Sequence, residues 1–210
     1  MRKLATILMT AILLSALFTQ RVTAQDASGN IPQYALSSAE AKKIVEVRAR
    51  QVMLALKNRD MQRLSTFVHP RKGVRFSPYV YVDKKNAIVL SRQRVVSLYR
   101  SNRRLVWGEQ DGSGDPIRMT FRQYFNRFVY RLDLLTNKEV GYNPPDRGGP
   151  GTDINNVLEN YPRAILVRYA HDGITAPQGG GMDWQQLWLV FEKMGNEWYL
   201  VGIVNNEWTI

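Results

Sequence analysis

Residues 120–132 have the clearest periodicity in the sequence, and this segment constrains the fold more than any other. Its apolar side chains recur three and four residues apart, so they share one face of a helix. These side chains are Phe121, Tyr124, Phe125, Phe128, Val129 and Leu132. Thr120 precedes them as a residue that can cap the helix. A face this broad and aromatic has to be buried, and the segment therefore predicts a helix that packs against a sheet.

Three more helices are predicted earlier in the chain. Ser37 and Glu40 have the spacing of a capping box, which predicts that a long helix begins here. Its buried stripe is expected to comprise Ala41, Ile44, Val45, Val52, Ala55 and Leu56. A short helix is predicted over residues 60–68, and a third helix is predicted to begin after Ser91.

Strands are predicted mostly in the second half of the chain. Branched and aromatic residues are concentrated at residues 164–171, 186–192 and 198–204, and the last two segments are expected to form a hairpin. Residues 74–82 have a similar composition, but Pro78 favours an edge strand or a bulge. Residues 137–154 are rich in Pro and Gly and predict a long loop. Because the predicted helices come early in the chain and the predicted antiparallel strands come late, the sequence predicts an α+β fold. In this fold the N-terminal helices pack on one face of a curved antiparallel sheet.

The N-terminus has the pattern of an export signal. Arg2 and Lys3 precede an almost wholly apolar run, and Val22-Thr23-Ala24 supplies the small residues that suit a cleavage site. The sequence therefore predicts a signal peptide over residues 1–24, a flexible leader over residues 25–36 and a single domain over residues 37–210. The apolar run is short for a membrane span, and nothing later approaches one, so the mature chain is predicted to be secreted or periplasmic without a transmembrane segment.

The chain contains no cysteine. This excludes disulfides, thiolate metal sites, a cysteine nucleophile and the lipid-modified cysteine of an exported lipoprotein. The stability of the fold must therefore come from packing.

Charge is distributed unevenly along the sequence. Residues 42–104 contain 17 Lys or Arg and 3 acidic residues, whereas the chain after residue 104 contains 9 cations and 13 acids. A field of this kind favours anionic partners such as lipid headgroups or cell-envelope polymers, while no specific nucleic-acid partner is predicted. The alternative is that these cations form solvated helix faces that keep the protein soluble.

Several motifs together resemble a family of exported bacterial proteins of unassigned function. They lie at residues 69–79, 107–114, 141–143, 181–184 and 198–203. The order of elements is also similar to the cone-shaped, cystatin-like fold of the nuclear transport factor two superfamily, which includes ketosteroid isomerase, scytalone dehydratase and many non-catalytic binding modules. The resemblance implies a cone-like domain, but one such fold hosts many functions. Many members of the first family are lipoproteins, and this chain lacks their anchoring cysteine.

Few residues are candidates for chemistry. His69 and His171 are the only histidines, and together with Asp133 they would hold a metal or transfer protons if the fold brought them together. The alternative is a helix-stop hydrogen bond for His69 and a surface position for His171. Residues 111–122 begin like a calcium loop, but Pro116 and Arg122 stand where that loop needs glycine and an acid. The sequence therefore predicts no catalytic residue, bound metal or cofactor.

The aromatic residues are more suggestive of a ligand. If the sheet curls into a cone, some of them would line its mouth, where apolar walls with a few donors suit a small organic molecule. The candidates are Tyr79, Tyr81, Trp107, Tyr124 and Trp188. The alternative is an ordinary aromatic core. Arg75 alternates with Val74 and Phe76, so it is a candidate to face the cavity and to pair with an anion or with Asp133.

Three functions remain open. The first is a non-enzymatic exported module that binds a small organic ligand or a protein partner in a cone-like pocket. The second is a surface-association protein whose basic half docks on anionic envelope polymers. The third is an isomerase or dehydratase that uses Asp133, His69 or His171 with a tyrosine as acid and base. Convergence of these side chains in a deep cavity would favour the enzyme, whereas a filled interior would favour surface binding.

Overall fold

The computed structural model describes residues 36–136, 140–144, 155–174 and 182–209. They belong to one compact unit, Pro32–Ile210. The predicted signal peptide, nearly all of the predicted leader and most of the predicted loop at residues 137–154 lie outside the described residues.

The helices lie mostly in the first two thirds of the described chain. They are α1 (Ser38–Lys57), α2 (Met61–Phe67), α3 (Arg92–Arg100), α4 (Phe121–Tyr124) and α5 (Val157–Asn160), and α4 continues as a π-helical turn (Phe125–Val129). The predicted capping box at the start of α1 is confirmed, because Ser37 Oγ accepts from Glu40 N and Glu40 Oε2 accepts from Ser37 N. Ser91 caps α3 in the predicted position, and Asp60, predicted as the first residue of the short helix, caps α2.

The strands form two sheets. They are β1 (Val74–Ser77), β2 (Val89–Leu90), β3 (Arg104–Glu109), β4 (Pro116–Thr120), β5 (Val140–Tyr142), β6 (Ile165–His171), β7 (Gln185–Met194) and β8 (Glu197–Glu207). The main sheet has the order β2-β1-β8-β7-β6-β5, and β3 pairs with β4. Every pair is antiparallel except β1 with β8. The predicted α+β class, with helices and a mostly antiparallel curved sheet, is confirmed.

The main sheet has two unlike faces. One face, here called the helix face, packs against α1, α2, α3 and the segment from α4 through the π-helical turn, and it holds the main hydrophobic core. The opposite face, here called the outer face, is partly covered by α5 and by residues 80–82, which bury a smaller cluster with Trp188, Val190 and Val201. Because strand side chains alternate, β6, β7 and β8 contribute residues to both clusters.

Two predicted helices differ from expectation in detail. The segment after Thr120 makes one α-helical turn and then widens, because Tyr130 N donates to Phe125 O, five residues back, at 2.9 Å. All six of its predicted apolar residues are nevertheless buried. In α1 the expectation for Ile44 is wrong, since that side chain is 43% exposed. The buried face is centred on Val45, Ala49 and Val52, which leaves Ile44 at its margin.

Two strand predictions also need correction. The strand predicted over residues 74–82 ends at Ser77, because Pro78 has no N–H to continue the ladder. β1 is not an edge strand, since it lies between β2 and β8. The loop predicted over residues 137–154 contains β5, which pairs with β6. Among the described residues, no helix combines the length and apolar character needed to cross a membrane.

Candidate anion-binding site

Trp107 and Tyr124, two of the aromatic residues that suggested a pocket, lie in the main core instead. Trp107 is fully buried, and its ring is stacked on that of Tyr124 with centroids 4.2 Å apart. Phe121 stacks on the same indole at 5.3 Å, and Phe76 meets it edge-on at 6.0 Å. The indole Nε1 of Trp107 donates to Met119 O, so its polar atom is satisfied within the core. These rings pack against one another and leave no aromatic-lined mouth around Trp107.

The other aromatic candidates lie apart from one another. Tyr79 is half-buried and its hydroxyl donates to Gln110 Oε1 at 3.2 Å. Tyr81 is exposed, and Trp188 is buried in the smaller cluster on the outer face. The guanidinium of Arg168 lies 5.9 Å from the centroid of the Trp188 ring. The structure therefore distributes these candidates between the two faces of the sheet.

The two histidines are engaged in local backbone contacts. His69 is buried after α2, and its Nδ1 accepts from the backbone N–H groups of Arg71 and Lys72 at 3.1 and 3.0 Å. Burial, with the neighbouring Lys72, lowers the pKa of His69, which keeps the imidazole neutral and able to accept. His171 Nδ1 accepts from Gly173 N at 3.0 Å at the end of β6. Within the described part of the chain, no group of His, Asp and Glu residues is placed to hold a metal ion.

Asp133 also has its own partners, and Arg75 is not one of them. Lys57 Nζ donates to Asp133 Oδ2 at 2.6 Å, and Tyr130 Oη donates to Oδ1 at 2.7 Å. The hydrogen bond from the Lys57 ammonium, and to a smaller extent that from the Tyr130 hydroxyl, holds the pKa of Asp133 below its usual value. Burial and the hydrogen bond to Asp133 raise the pKa of Tyr130. This group links the end of α1 to the segment after the π-helical turn.

A second buried polar group lies at the end of β8. Glu207 Oε2 accepts from Arg127 Nη1 at 2.7 Å, and this pair joins the π-helical turn to the sheet. Nearby, Gln185 Nε2 donates to Asn205 Oδ1 at 2.8 Å, and Asn205 Nδ2 donates to Pro78 O at 3.0 Å. We interpret this group as a structural connection, because most of its polar atoms bind one another and the backbone, although Glu207 Oε1 is buried without a hydrogen-bond partner.

Arg75 lies on the outer face of the sheet, opposite the predicted interior. The side chains of Val74 and Phe76 lie in the main core. Because side chains alternate along β1, the side chain of Arg75 lies on the opposite face of the sheet. There it lines a pocket with a volume of about 330 Å³. The pocket is bounded by Lys72, Arg75, Lys84, Val89, Asn160, Tyr161, Glu192 and Val201. These residues come from five separate parts of the sequence and meet only in the fold.

Local hydrogen bonds shape the wall that carries Lys84. Asp83 Oδ1 accepts from Lys85 N and Asn86 N at 2.9 and 3.0 Å, which forms a tight turn with Lys84 in it. Burial opposes ionisation of Asp83, but hydrogen bonds from Asn86 and Lys85 outweigh it and lower the pKa. Arg75 Nη1 lies within hydrogen-bond distance of the carbonyl oxygens of Asp83, Lys84 and Ala87, so the guanidinium is fixed against this turn.

The opposite wall is formed by Tyr161 at the end of α5. Asn156, just before α5, binds both the N–H and the carbonyl of Val82 through its amide, at 2.7 and 3.2 Å. This holds α5 against the segment that leads to Lys84. A Cβ on Gly202 would lie 3.0 Å from the Val190 side chain and 3.4 Å from Tyr161 Oη, so the glycine relieves crowding mainly against Val190.

The pocket has an excess of positive charge. Three cations line it against one carboxylate, Glu192, which forms an ion pair with Lys72. Within the described residues, neither Arg75 nor Lys84 is in an ion pair with a carboxylate. The Tyr161 hydroxyl is buried and has no hydrogen bond of regular geometry. Burial raises its pKa, and the nearby Arg75 guanidinium opposes that rise. The arrangement can donate hydrogen bonds to an anion.

Most of these residues were missed at the sequence level. Arg75 was a candidate, but Lys72, Lys84, Tyr161 and Glu192 were not singled out. The available signal was the cation excess over residues 42–104, which includes Lys72, Arg75 and Lys84. That signal does not distinguish a site from a solvated surface, because the site also needs α5 and β7 from the distant half of the chain.

Comparisons with known proteins give no match to this chain: neither a family model, nor a curated protein, nor a solved structure. The fold and the site together define an α+β protein with a basic pocket on the outer face of its sheet. The function is therefore argued from that geometry.

Proposed function

We propose that the protein is an exported, non-enzymatic binding module that takes an anionic ligand in the outer-face pocket. The observation that carries the proposal is the cluster of Lys72, Arg75 and Lys84 around one cavity, with Glu192 as the single acid among the described residues that line it. The domain is proposed to have the cone-like fold of the nuclear transport factor two superfamily, with its interior filled by side chains. The ligand would then bind outside the cone.

The packing supports binding in preference to acid–base catalysis. An isomerase of the expected kind needs a carboxylate or imidazole close to a tyrosine in a cavity that admits substrate. The Tyr130 hydroxyl does meet Asp133, but Lys57 occupies the other oxygen of that carboxylate. His69 and His171 accept from backbone N–H groups through Nδ1. Each candidate is engaged in a different neighbourhood, which favours the binding module.

The proposal predicts that a small polyanion binds in a charge-specific way. Isothermal titration of the purified protein with tripolyphosphate at low salt should show saturable binding that weakens as salt rises. Lys84→Gln should lower the affinity about fivefold, which corresponds to about 1 kcal/mol for one partly exposed cation. Lys85→Gln is the matched control, because it removes the same charge one residue away and Lys85 does not line the pocket.

Surface association with an anionic envelope polymer is the second candidate. It is favoured by the exposed cations Arg71 and Lys85, which lie in sequence beside the pocket residues Lys72 and Lys84. Binding to a surface would depend on the total charge, so Lys84→Gln and Lys85→Gln would weaken it equally. Equal losses in the titration would therefore contradict the pocket and support the surface, and absence of tripolyphosphate binding at low salt would contradict both.

A further inference from the structure

We infer that the pocket selects a dianionic phosphomonoester with a small organic body, and that Glu192 is an intrachain competitor for Lys72. This inference rests on the proposed function, because it names the ligand class of the same site. It concerns two features that anion binding alone does not require: the net charge of the pocket and the ion pair that forms one wall.

The charge of the pocket matches a dianion. Lys72, Arg75 and Lys84 together with Glu192 leave two positive charges in excess. A phosphomonoester carries about −1.5 to −2 charges at neutral pH, since its second pKa is about 6. A carboxylate, a sulfate ester or a phosphodiester carries one negative charge and would leave part of that excess unbalanced. The electrostatic attraction therefore favours the monoester.

The donors of the pocket also suit a tetrahedral oxyanion. Arg75 uses Nη1 on backbone carbonyls, which fixes the guanidinium at the wall of the pocket. The Tyr161 hydroxyl is buried beside the Arg75 guanidinium and helps to hold that group in place. The ammonium groups of Lys72 and Lys84 add charge-assisted donors from the other sides. Several donors of different origin can satisfy the three terminal oxygens of a monoester, whereas a carboxylate presents only two.

The size and lining of the pocket leave room for more than phosphate. A volume of about 330 Å³ corresponds to about ten water molecules at ~30 Å³ each. Inorganic phosphate has five non-hydrogen atoms and would fill only part of it. Val89 and Val201 supply apolar wall beside the cations. The pocket thus fits an ester whose organic part is about the size of one ring.

Glu192 already occupies the position that the ligand needs at Lys72. Its side chain is 12% exposed and forms an ion pair with Lys72, which is 60% exposed. An incoming phosphate must either displace this carboxylate from the ammonium or lie beside it, and like charges in close contact are unfavourable. Glu192 therefore weakens binding of anions in general and admits only a ligand with enough charge to compete. Its removal should increase the affinity.

The test compares phenyl phosphate with phenyl sulfate by isothermal titration of the full chain at pH 8. The two ligands have the same ring and a tetrahedral head and differ mainly in charge. Phenyl phosphate is expected to bind at least about tenfold more tightly. Glu192→Gln should tighten phenyl phosphate binding by about fivefold or more, and Lys84→Gln, which removes one of the lining cations, should weaken it about fivefold. Lys85→Gln should leave it unchanged.

Binding to two kinds of vesicle distinguishes a lipid headgroup from a soluble ester as the source of the monoester. Vesicles that contain phosphatidic acid present a monoester headgroup, and vesicles that contain phosphatidylglycerol at equal surface charge present a diester. Preferential binding to phosphatidic acid without binding of phenyl phosphate would assign the site to a lipid headgroup, whereas binding of phenyl phosphate without vesicle binding would assign it to a soluble ester. Either result supports the ligand class.

Equal and measurable affinity for phenyl phosphate and phenyl sulfate would overturn the inference, as would equal binding of vesicles with phosphatidic acid and with phosphatidylglycerol, or Glu192→Gln binding no more tightly than the natural sequence. The weaker tripolyphosphate binding of Lys84→Gln, by about fivefold, would still stand in that case. The proposed anion site would then be correct and its ligand class wrong, so the two failures are distinguishable.

Discussion

Among single residues, Trp107 shows why aromatic side chains of this chain lie in the hydrophobic core and do not line a pocket. Its ring lies nearly parallel to Tyr124, at an interplanar angle of 18°, and Phe76 meets it at 85°. Offset stacks and edge-on contacts of this kind are the favourable arrangements of aromatic pairs and leave little free surface. With the Nε1–H bound to a backbone carbonyl, the indole has neither an open face nor a free donor for a ligand.

Replacement of Trp107 is therefore predicted to affect stability. Trp107→Ala should lower the free energy of unfolding by about 3–5 kcal/mol, through lost burial and the cavity left behind. Tyr81→Ala is the control, because Tyr81 is 58% exposed and its loss should change stability by less than about 0.5 kcal/mol. Urea unfolding followed by far-ultraviolet circular dichroism measures both. A change below about 1 kcal/mol for Trp107→Ala would contradict the filled core.

At the scale of elements, local signals predicted helix starts well and strand partners poorly. Ser37, Ser91 and Thr120 cap helices where the sequence indicated, because a cap depends on residues three positions apart. The π-helical turn was not predicted, since the same apolar spacing fits an α-helix. The parallel pairing of β1 with β8 joins Arg75 to Gly202, far apart in sequence, and periodicity carries no information about such pairing. The pocket depends on this pairing and was missed for the same reason.

The contact between α1 and the segment after the π-helical turn predicts a pH dependence of stability. Lys57 and Tyr130 hold the pKa of Asp133 below its ordinary value of 3.8, so the carboxylate form is favoured in the folded state. The ionised carboxylate adds to the free energy of unfolding. This contribution is fully present above the pKa of Asp133 in the unfolded chain, about 4, and is lost as pH falls through the lower pKa of the folded state. Asp133→Asn should therefore lower stability at pH 7 and have a smaller effect at pH 3.

Urea unfolding of both proteins at the two pH values gives this comparison directly. The difference in unfolding free energy between the natural sequence and Asp133→Asn is expected to shrink on acidification. A difference that stays constant or grows would show that the ion pair with Lys57 does not stabilise the fold.

At the scale of the whole domain, one sheet serves two purposes. Its helix face is closed by aromatic packing, while its outer face is only partly covered and carries the basic pocket. The cations come from the basic half of the sequence, whereas Tyr161 and Glu192 come from the half with excess acid. The pairing of β1 with β8 brings the two halves together, which is why the pocket combines strong positive charge with one competing carboxylate.

The ligand is proposed to bind on the outer face of the main sheet and not within the main hydrophobic core. The most direct measurement is the change in backbone amide chemical shifts, by nuclear magnetic resonance, as phenyl phosphate is titrated into ¹⁵N-labelled protein. We expect the largest changes in amide chemical shift at Lys72, Lys84 and Tyr161. Largest shifts at Trp107 and Tyr124, or no shifts at saturating ligand, would contradict it.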